Sequence, residues 1–260
     1  MKVNVDLAGR AVLVTGGTKG IGFVIAETFL AAGAEVVVCG RNEPERLPAA
    51  GGRSARFVAA DIRDAAEAAR LVETVAGLLG RLDVLVNNAG GSPNSDAATV
   101  SPRFVERIVA LNLLAPFYVA QAANKVMREQ ETGGSIVNIG SVSGVDPQPG
   151  TAAYSAAKAG LLMLTRALAL EWSPKVRVNH ITTGLVMTEA AASTYGEDGG
   201  AALAEIIPMG RMARPSDVAG TCLFLASDLA SYLTGADIPV HGGGEVPARY
   251  LVTRTEPGRP

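Results

Sequence analysis

The sequence is poor in the side chains that hold metals and disulfides. Cys39 and Cys222 are its only cysteines, and His180 and His241 its only histidines. Both cysteines sit in apolar stretches, so small buried thiols in a reducing compartment are expected. The histidines lack companion Cys/His spacing, and no metal site is expected. Charge of one sign is also missing: 23 basic and 25 acidic residues leave a net charge of −2. That balance offers neither a nucleic-acid surface nor an acidic solvating tail. No unbroken apolar run reaches the roughly 18 residues of a bilayer-spanning helix, so no membrane partner is expected. The opening Met1-Lys2-Val3-Asn4-Val5-Asp6 has no apolar segment behind a basic start, and a cytoplasmic location is the simplest expectation.

What is present is the composition of an ordinary globule: 260 residues, 48% hydrophobic and 18% charged. This suits one large α/β domain spanning 1–260 with a substantial core. Short β-rich runs at 11–15, 35–39, 55–60, 84–87, 135–139, 176–181 and 237–240 alternate with helical patterns. The helical patterns fill about 20–32, 65–79, 102–128, 152–172 and 215–226. Such alternation argues for a parallel sheet with crossover helices, and the nearly continuous apolar strands for a sheet covered on both faces. Between Arg41 and Phe57, Pro44, Pro48 and Gly51-Gly52 leave room only for a short helix around 43–47. An Ala-, Gly- and Ser-rich stretch at 185–208 interrupts the last strand–helix connection, and 245–260 is a polar tail.

Tyr154 and Lys158, four apart, share one helix face. A phenol titrates near about pH 10 and is a poor acid or base at neutrality. An adjacent ammonium favours the phenolate and brings it toward the working range. The plain alternative is that the two merely line an amphipathic face. Near the N-terminus, Gly16-x-x-x-Gly20-x-Gly22 follows the first strand and opens a helix. Glycines there let the backbone approach a pyrophosphate, whose charge meets free N–H groups and the helix N-terminus. A tight strand–helix turn is the bland reading of this spacing, which differs from Gly-x-Gly-x-x-Gly. Together with Asn87-Asn88-Ala89-Gly90 and the Tyr–Lys pair, a dinucleotide site is the better one. Proton transfer beside a nicotinamide is carbonyl–alcohol redox chemistry.

The glycine turn, Asp61, the Asn-Asn-Ala-Gly run, Asn112, Ser141, Tyr154 and Lys158 stand in an order and spacing that resemble the short-chain dehydrogenase/reductase family, over about residues 7–243. The resemblance implies an α/β fold: a single Rossmann-type, doubly wound parallel sheet of about seven strands with helices on both faces. It implies Tyr154 as general acid or base, and Lys158 lowering its pKa and binding the nicotinamide ribose. It also implies Ser141 as hydrogen-bond donor to the substrate oxygen. Asn112 would interrupt its helix and hold a water in a proton relay. Cofactor contacts would come from Gly16, Thr18, Lys19, Gly20, Ile21 and Gly22, from Arg41, and from Asp61 and Ile62. Asn88, Ala89 and Gly90, the Tyr154–Lys158 pair, and Gly184, Val186 and Thr188 complete the set. Asp61 would accept from the adenine amino group, with helix capping as its alternative.

NAD enzymes of this type usually carry an acidic residue at the end of the second strand, where this chain has Gly40 followed by Arg41. A guanidinium can pair with a 2′-phosphate, and Lys19 offers a second cation at a helix N-terminus, so NADP(H) is favoured over NAD(H). Thr183 departs from the family pattern, which usually has proline there. Losing that fixed φ predicts a looser loop before Thr188, which would bond the nicotinamide carboxamide. The 185–208 stretch resembles the family's substrate lid.

A 3-oxoacyl thioester reductase is the nearest subclass by overall pattern. Steroid-like and other secondary alcohols are the alternative substrates, and the mixed Gly, Pro and Ala composition of the pocket loops specifies no ligand. A non-catalytic dinucleotide sensor would lack a catalytic residue, and none is missing. Epimerase or dehydratase relatives carry a longer C-terminal domain than this chain has room for. The family usually assembles as a homotetramer, which predicts apolar positions of 218–225 and the edge strand 237–240 at an interface.

Overall fold

The computed structural model describes residues 5–189 and 200–247. Nine strands appear in chain order: β1 (Ala11–Thr15), β2 (Glu35–Gly40), β3 (Ala49–Ala50), β4 (Arg53–Ser54), β5 (Arg56–Ala59), β6 (Val84–Asn87), β7 (Gly134–Ile139), β8 (Val176–Thr183) and β9 (Asp237–Val240). Seven of them form one sheet in the order β5-β2-β1-β6-β7-β8-β9, parallel throughout. The chain winds outward from β1 through β2 to β5. It then returns to the far side of β1 with β6 and winds outward again. This reversal opens a crevice beyond the C-terminal ends of β1 and β6.

Both faces of the sheet are covered, which explains its unbroken apolar strands. Val12, Val14, Val36, Val38, Val84 and Val86 point to the face packed with α1 (Gly20–Ala31) and, last in chain order, α7 (Pro215–Ala226). Their alternating neighbours Leu13, Val37, Cys39 and Leu85 point to α2 (Ala65–Leu79), α4 (Ala115–Glu129) and α5 (Ala152–Trp172). Helix ends follow local chemistry. The Asp64 carboxylate accepts from Glu67 N at 2.9 Å to start α2, and Gly80 ends it at φ 74°. Ser101 caps α3 (Pro102–Val109), with proline in its first turn. A short α6 (Ala201–Glu205) precedes α7.

Two expectations need correcting. No helix forms at 43–47; instead β3 and β4 make a small antiparallel hairpin. Its turn is Gly51-Gly52, both with positive φ (59° and 74°), a conformation glycine adopts cheaply. The helix at 102–128 is divided by a π-helical turn, Ala110–Leu114, the interruption the resemblance implies at Asn112. Thr183 is not in a loose loop: β8 runs through it, paired with Val240. Of the apolar residues in 218–225, Val218, Ala219, Cys222 and Leu225 are buried in this chain's own core, while Leu223 and Phe224 are half-buried. Residues 190–199, in the middle of the stretch expected to form a lid, and the tail from 248 onward lie outside the described residues.

By length and composition alone, the stretch Pro102–Glu129 could cross a membrane. Its α4 half instead buries Ala115, Val119, Ala120, Ala123 and Met127 against the sheet.

Candidate active site

The crevice between β1 and β6 holds a cleft of about 470 Å³. Of the residues expected to contact a cofactor, Gly16, Thr18, Lys19, Gly20, Ile21, Arg41, Asp61, Ile62, Asn88, Ala89, Gly90 and Thr188 line it. Gly22 lies beneath the turn: a Cβ there would stand 2.4 Å from Asn88 Nδ2 and from Gly16 O. The Asn88 carboxamide occupies that space, donating to Thr15 O at 3.0 Å and to Gly16 O at 3.1 Å. Its side chain therefore holds the glycine turn in shape. Lys19 occupies the N-cap position of α1 without a side-chain cap, and no acidic residue stands in the first turn. The open N–H groups and the crowded glycines fit a pyrophosphate at this turn.

At the adenine end expected from the sequence, Asp61 is not a helix cap, since Asp64 fills that role. Its carboxylate pairs with Arg63 through Nε at 2.8 Å and through a second, shorter contact from Nη2. The hydrogen bonds from Arg63 hold the Asp61 carboxyl below the usual range, helped by the charge of Arg41. Gly40, the position weighed for cofactor choice, also lines the cleft, as do Arg63, Leu111 and Glu189, which the sequence did not single out. The signal for Arg63 was there, two residues beyond Asp61, but an ion pair is not legible from that spacing alone. Cys39 borders the cleft as well, and burial pushes its thiol up to about 12, so it is no nucleophile.

Asn112, Ser141, Tyr154 and Lys158 do not themselves line the cleft; cleft-lining Gly90 is the residue that approaches Asn112 and Lys158. A Cβ on Gly90 would lie 2.8 Å from Asn112 Oδ1 and 3.3 Å from Lys158 Nζ. The Lys158 ammonium stands 5.8 Å from the centroid of the half-buried Tyr154 ring and donates to Ile139 O at 2.7 Å. Burial lowers its pKa to about 8. Ser141, two residues past Ile139, leaves β7 in an extended conformation, and its Oγ accepts from Ser143 N at 3.2 Å. The turn that follows packs Gly144 on the backbone of Lys158 and Ala159.

Asn112 lies in the π-helical turn, the local interruption expected of it. Its Nδ2 donates to Ile108 O and Gly91 O, and its Oδ1 accepts from Gly91 N. Both side-chain N–H donors are thereby spent on backbone, so a relay water would have to donate to an oxygen of Asn112. Gly184 and Val186 do not line the cleft; Val186 is packed into the core beside Ala213. Among the described residues no cluster of metal-binding side chains occurs.

A family described as enoyl-(acyl carrier protein) reductase matches residues 16–245, most of the chain and all of this site. The chain belongs to the short-chain dehydrogenase/reductase family. The D-threitol dehydrogenase of Mycolicibacterium smegmatis is 37% identical over 243 residues, covering 91% of this chain and 93% of that protein. An NADP-dependent (R)-specific alcohol dehydrogenase of Lentilactobacillus kefiri is 32% identical over 244 residues, covering 91% and 97%. The structure of Thermoplasma acidophilum aldohexose dehydrogenase has a TM-score of 0.86 at 28% identity, covering 99% of this chain and 100% of that one. As a short-chain dehydrogenase/reductase, the protein is an oxidoreductase acting between alcohols and carbonyls.

Proposed function

We propose that this short-chain dehydrogenase/reductase is an NADP(H)-dependent enzyme interconverting a carbonyl and a secondary alcohol, with Tyr154 moving the proton. The observation that carries this reading is the close approach of cleft-lining Gly90 to Asn112 and Lys158, with the ammonium beside the Tyr154 ring. When bound, the cofactor supplies or accepts the hydride. The Gly16–Gly22 turn would hold its pyrophosphate, Asp61 and Ile62 its adenine, and Thr188 its carboxamide end. Arg41 and Lys19 would hold the 2′-phosphate.

Tyr154 gives its hydroxyl proton to the substrate oxygen in reduction and takes it back in oxidation. The positive charge of Lys158 favours the tyrosinate this step leaves. One ammonium proton is committed to Ile139 O, and the others are free for ribose hydroxyls. Ser141 Oγ already accepts from Ser143 N. Its own O–H is thus free to donate to the substrate oxygen and stabilise charge developing there.

The absence of an acidic residue at Gly40, with Lys19 and Arg41 among the cations lining the cleft, supports NADP(H). So does the cofactor named for the Lentilactobacillus relative. A 3-oxoacyl thioester substrate draws support from the acyl-carrier description of the matching family. A second reading, free secondary alcohols or polyols, is favoured by the substrates named for the relatives. We also propose one domain over the whole chain, a homotetramer, and a cytoplasmic location.

The test is a panel assayed with NADPH/NADP and NADH/NAD by nicotinamide absorbance: ethyl acetoacetate, an N-acetylcysteamine 3-oxoacyl thioester, D-threitol and a 3-oxosteroid. Tyr154→Phe keeps the ring and loses the proton, so turnover should fall by about 10²–10⁴-fold with NADPH binding intact by fluorescence titration. Near-wild-type turnover in this variant would remove Tyr154 from the mechanism.

A further inference from the structure

Strand β8 grips the residue from which Ser141 leaves the sheet. Gly140 N donates to Ile181 O at 2.8 Å, and Gly140 O accepts from Thr183 Oγ1 at 2.8 Å. On the remaining side the His180 ring fills the space of an absent side chain: a Cβ on Gly140 would lie 2.0 Å from Cε1 and 2.1 Å from Nε2. That ring is itself held, with Nδ1 2.8 Å from the Asp237 carboxylate, which also accepts from Thr182 Oγ1 at 2.8 Å. Hydrogen bonds from His180 and Thr182 keep Asp237 ionised below its usual range even though burial pushes the other way.

The Gly140 carbonyl and the Ser141 N–H belong to one planar peptide group. A bond to the carbonyl oxygen therefore orients the whole plane and, with it, the direction in which Ser141 Cα departs. Glycine is the residue least able to impose that orientation by itself. Thr183 stands where the family resemblance places proline, a residue with no hydroxyl to give. It is buried, at 6% exposure, so no water competes for its hydroxyl.

We propose that Thr183 is a positioning residue for Ser141, its hydroxyl setting the Gly140–Ser141 peptide plane and so the aim of the Ser141 hydroxyl. The inference rests on the reading of Ser141 as the donor to the substrate oxygen. Loss of the bond misaims a donor that must meet its target within a fraction of an ångström, and should lower kcat by about tenfold. Cofactor binding, made elsewhere in the cleft, should not change.

The experiment is a double-mutant cycle on the full chain. Thr183→Val, Ser141→Ala and the pair are assayed for kcat and KM with the fastest substrate of the panel above, and Thr183→Ser serves as the rescue. Thr183→Val should lower kcat with the NADPH KM unchanged, and Thr183→Ser should restore it. In the Ser141→Ala background, Thr183→Val should have no further effect. Independent, multiplying losses would mean that Thr183 acts on stability or on another group, and would overturn the proposal. So would a Thr183→Val variant with unchanged kcat. Wild-type kcat in Ser141→Ala alone would instead sink the reading of Ser141, and the inference with it. If Thr183→Val does not fold, Thr183→Ala removes the same hydroxyl and is read in the same way.

Discussion

Replacing Lys158 by methionine tests the electrostatics of the site without needing a substrate. Lys158 is 4% exposed, and burial holds its ammonium down from the ordinary 10.5 to about 8. Below about 8 the folded and unfolded chains both carry the proton, and the folded state bears the full penalty of a buried charge. Between about 8 and 10.5 the unfolded chain keeps a proton that the folded chain has released, so stability rises with pH. Above 10.5 both are neutral and the penalty is gone. At about 1.4 kcal/mol per pH unit, the interval is worth about 3 kcal/mol.

Methionine fills nearly the space of lysine's hydrocarbon stem and carries no charge. At neutral pH its gain is offset by the lost bond to Ile139 O, about 1.5–3 kcal/mol for a charged donor. A single measurement there decides nothing, because the two terms are similar in size and opposite in sign. The pH dependence does decide. Urea unfolding of both cofactor-free proteins from about pH 7 to about pH 10.5 should show the wild type gaining about 3 kcal/mol on the variant. A difference that stays flat over that range refutes the desolvated ammonium, and with it the electrostatic account of the Tyr154–Lys158 pair.

Two further outcomes are expected. Replacing Arg41 and Lys19 together by alanine should lower the ratio of kcat/KM for NADPH over NADH by about tenfold or more; an unchanged ratio removes the 2′-phosphate assignment. Light scattering over a dilution series should report a tetramer of the 26.6 kDa chain, covering the edge strand β9 and the exposed Leu229 and Tyr232 beyond α7; a monomer mass at micromolar concentration sinks that expectation.

The sheet was legible because its strands are buried on both faces and so read as apolar runs. The expected strands all appear, with ends moved by one or two residues. Failure came where a local signal had two meanings. Pro44, Pro48 and Gly51-Gly52 were read as breakers around a short helix. The glycine pair is in fact the turn of a hairpin, and its signature, two glycines between short extended segments, was already in the sequence. Which apolar positions of 218–225 are covered within one chain was not legible either, because apolar helix positions look alike whether they face a partner or the core. Here α1 lies over Val218 and Leu225.

In the site, order and spacing revealed which residues matter but not what holds them. Asn88 was read as cofactor wall, yet its carboxamide reaches back across more than seventy residues of chain to the carbonyls of Thr15 and Gly16. Arg63 neutralises Asp61, and Asn112 ties the π-helical turn to Gly91. All these bonds are made by side chains to groups that their own segment does not predict. Thr183 shows the consequence most sharply. Judged by the backbone alone, exchanging proline for threonine frees a φ and predicts looseness. In the fold, the same exchange adds a buried hydroxyl that reaches Gly140 O. The sign of the substitution depends on a carbonyl forty-three residues earlier in the chain, and only the assembled sheet brings the two together.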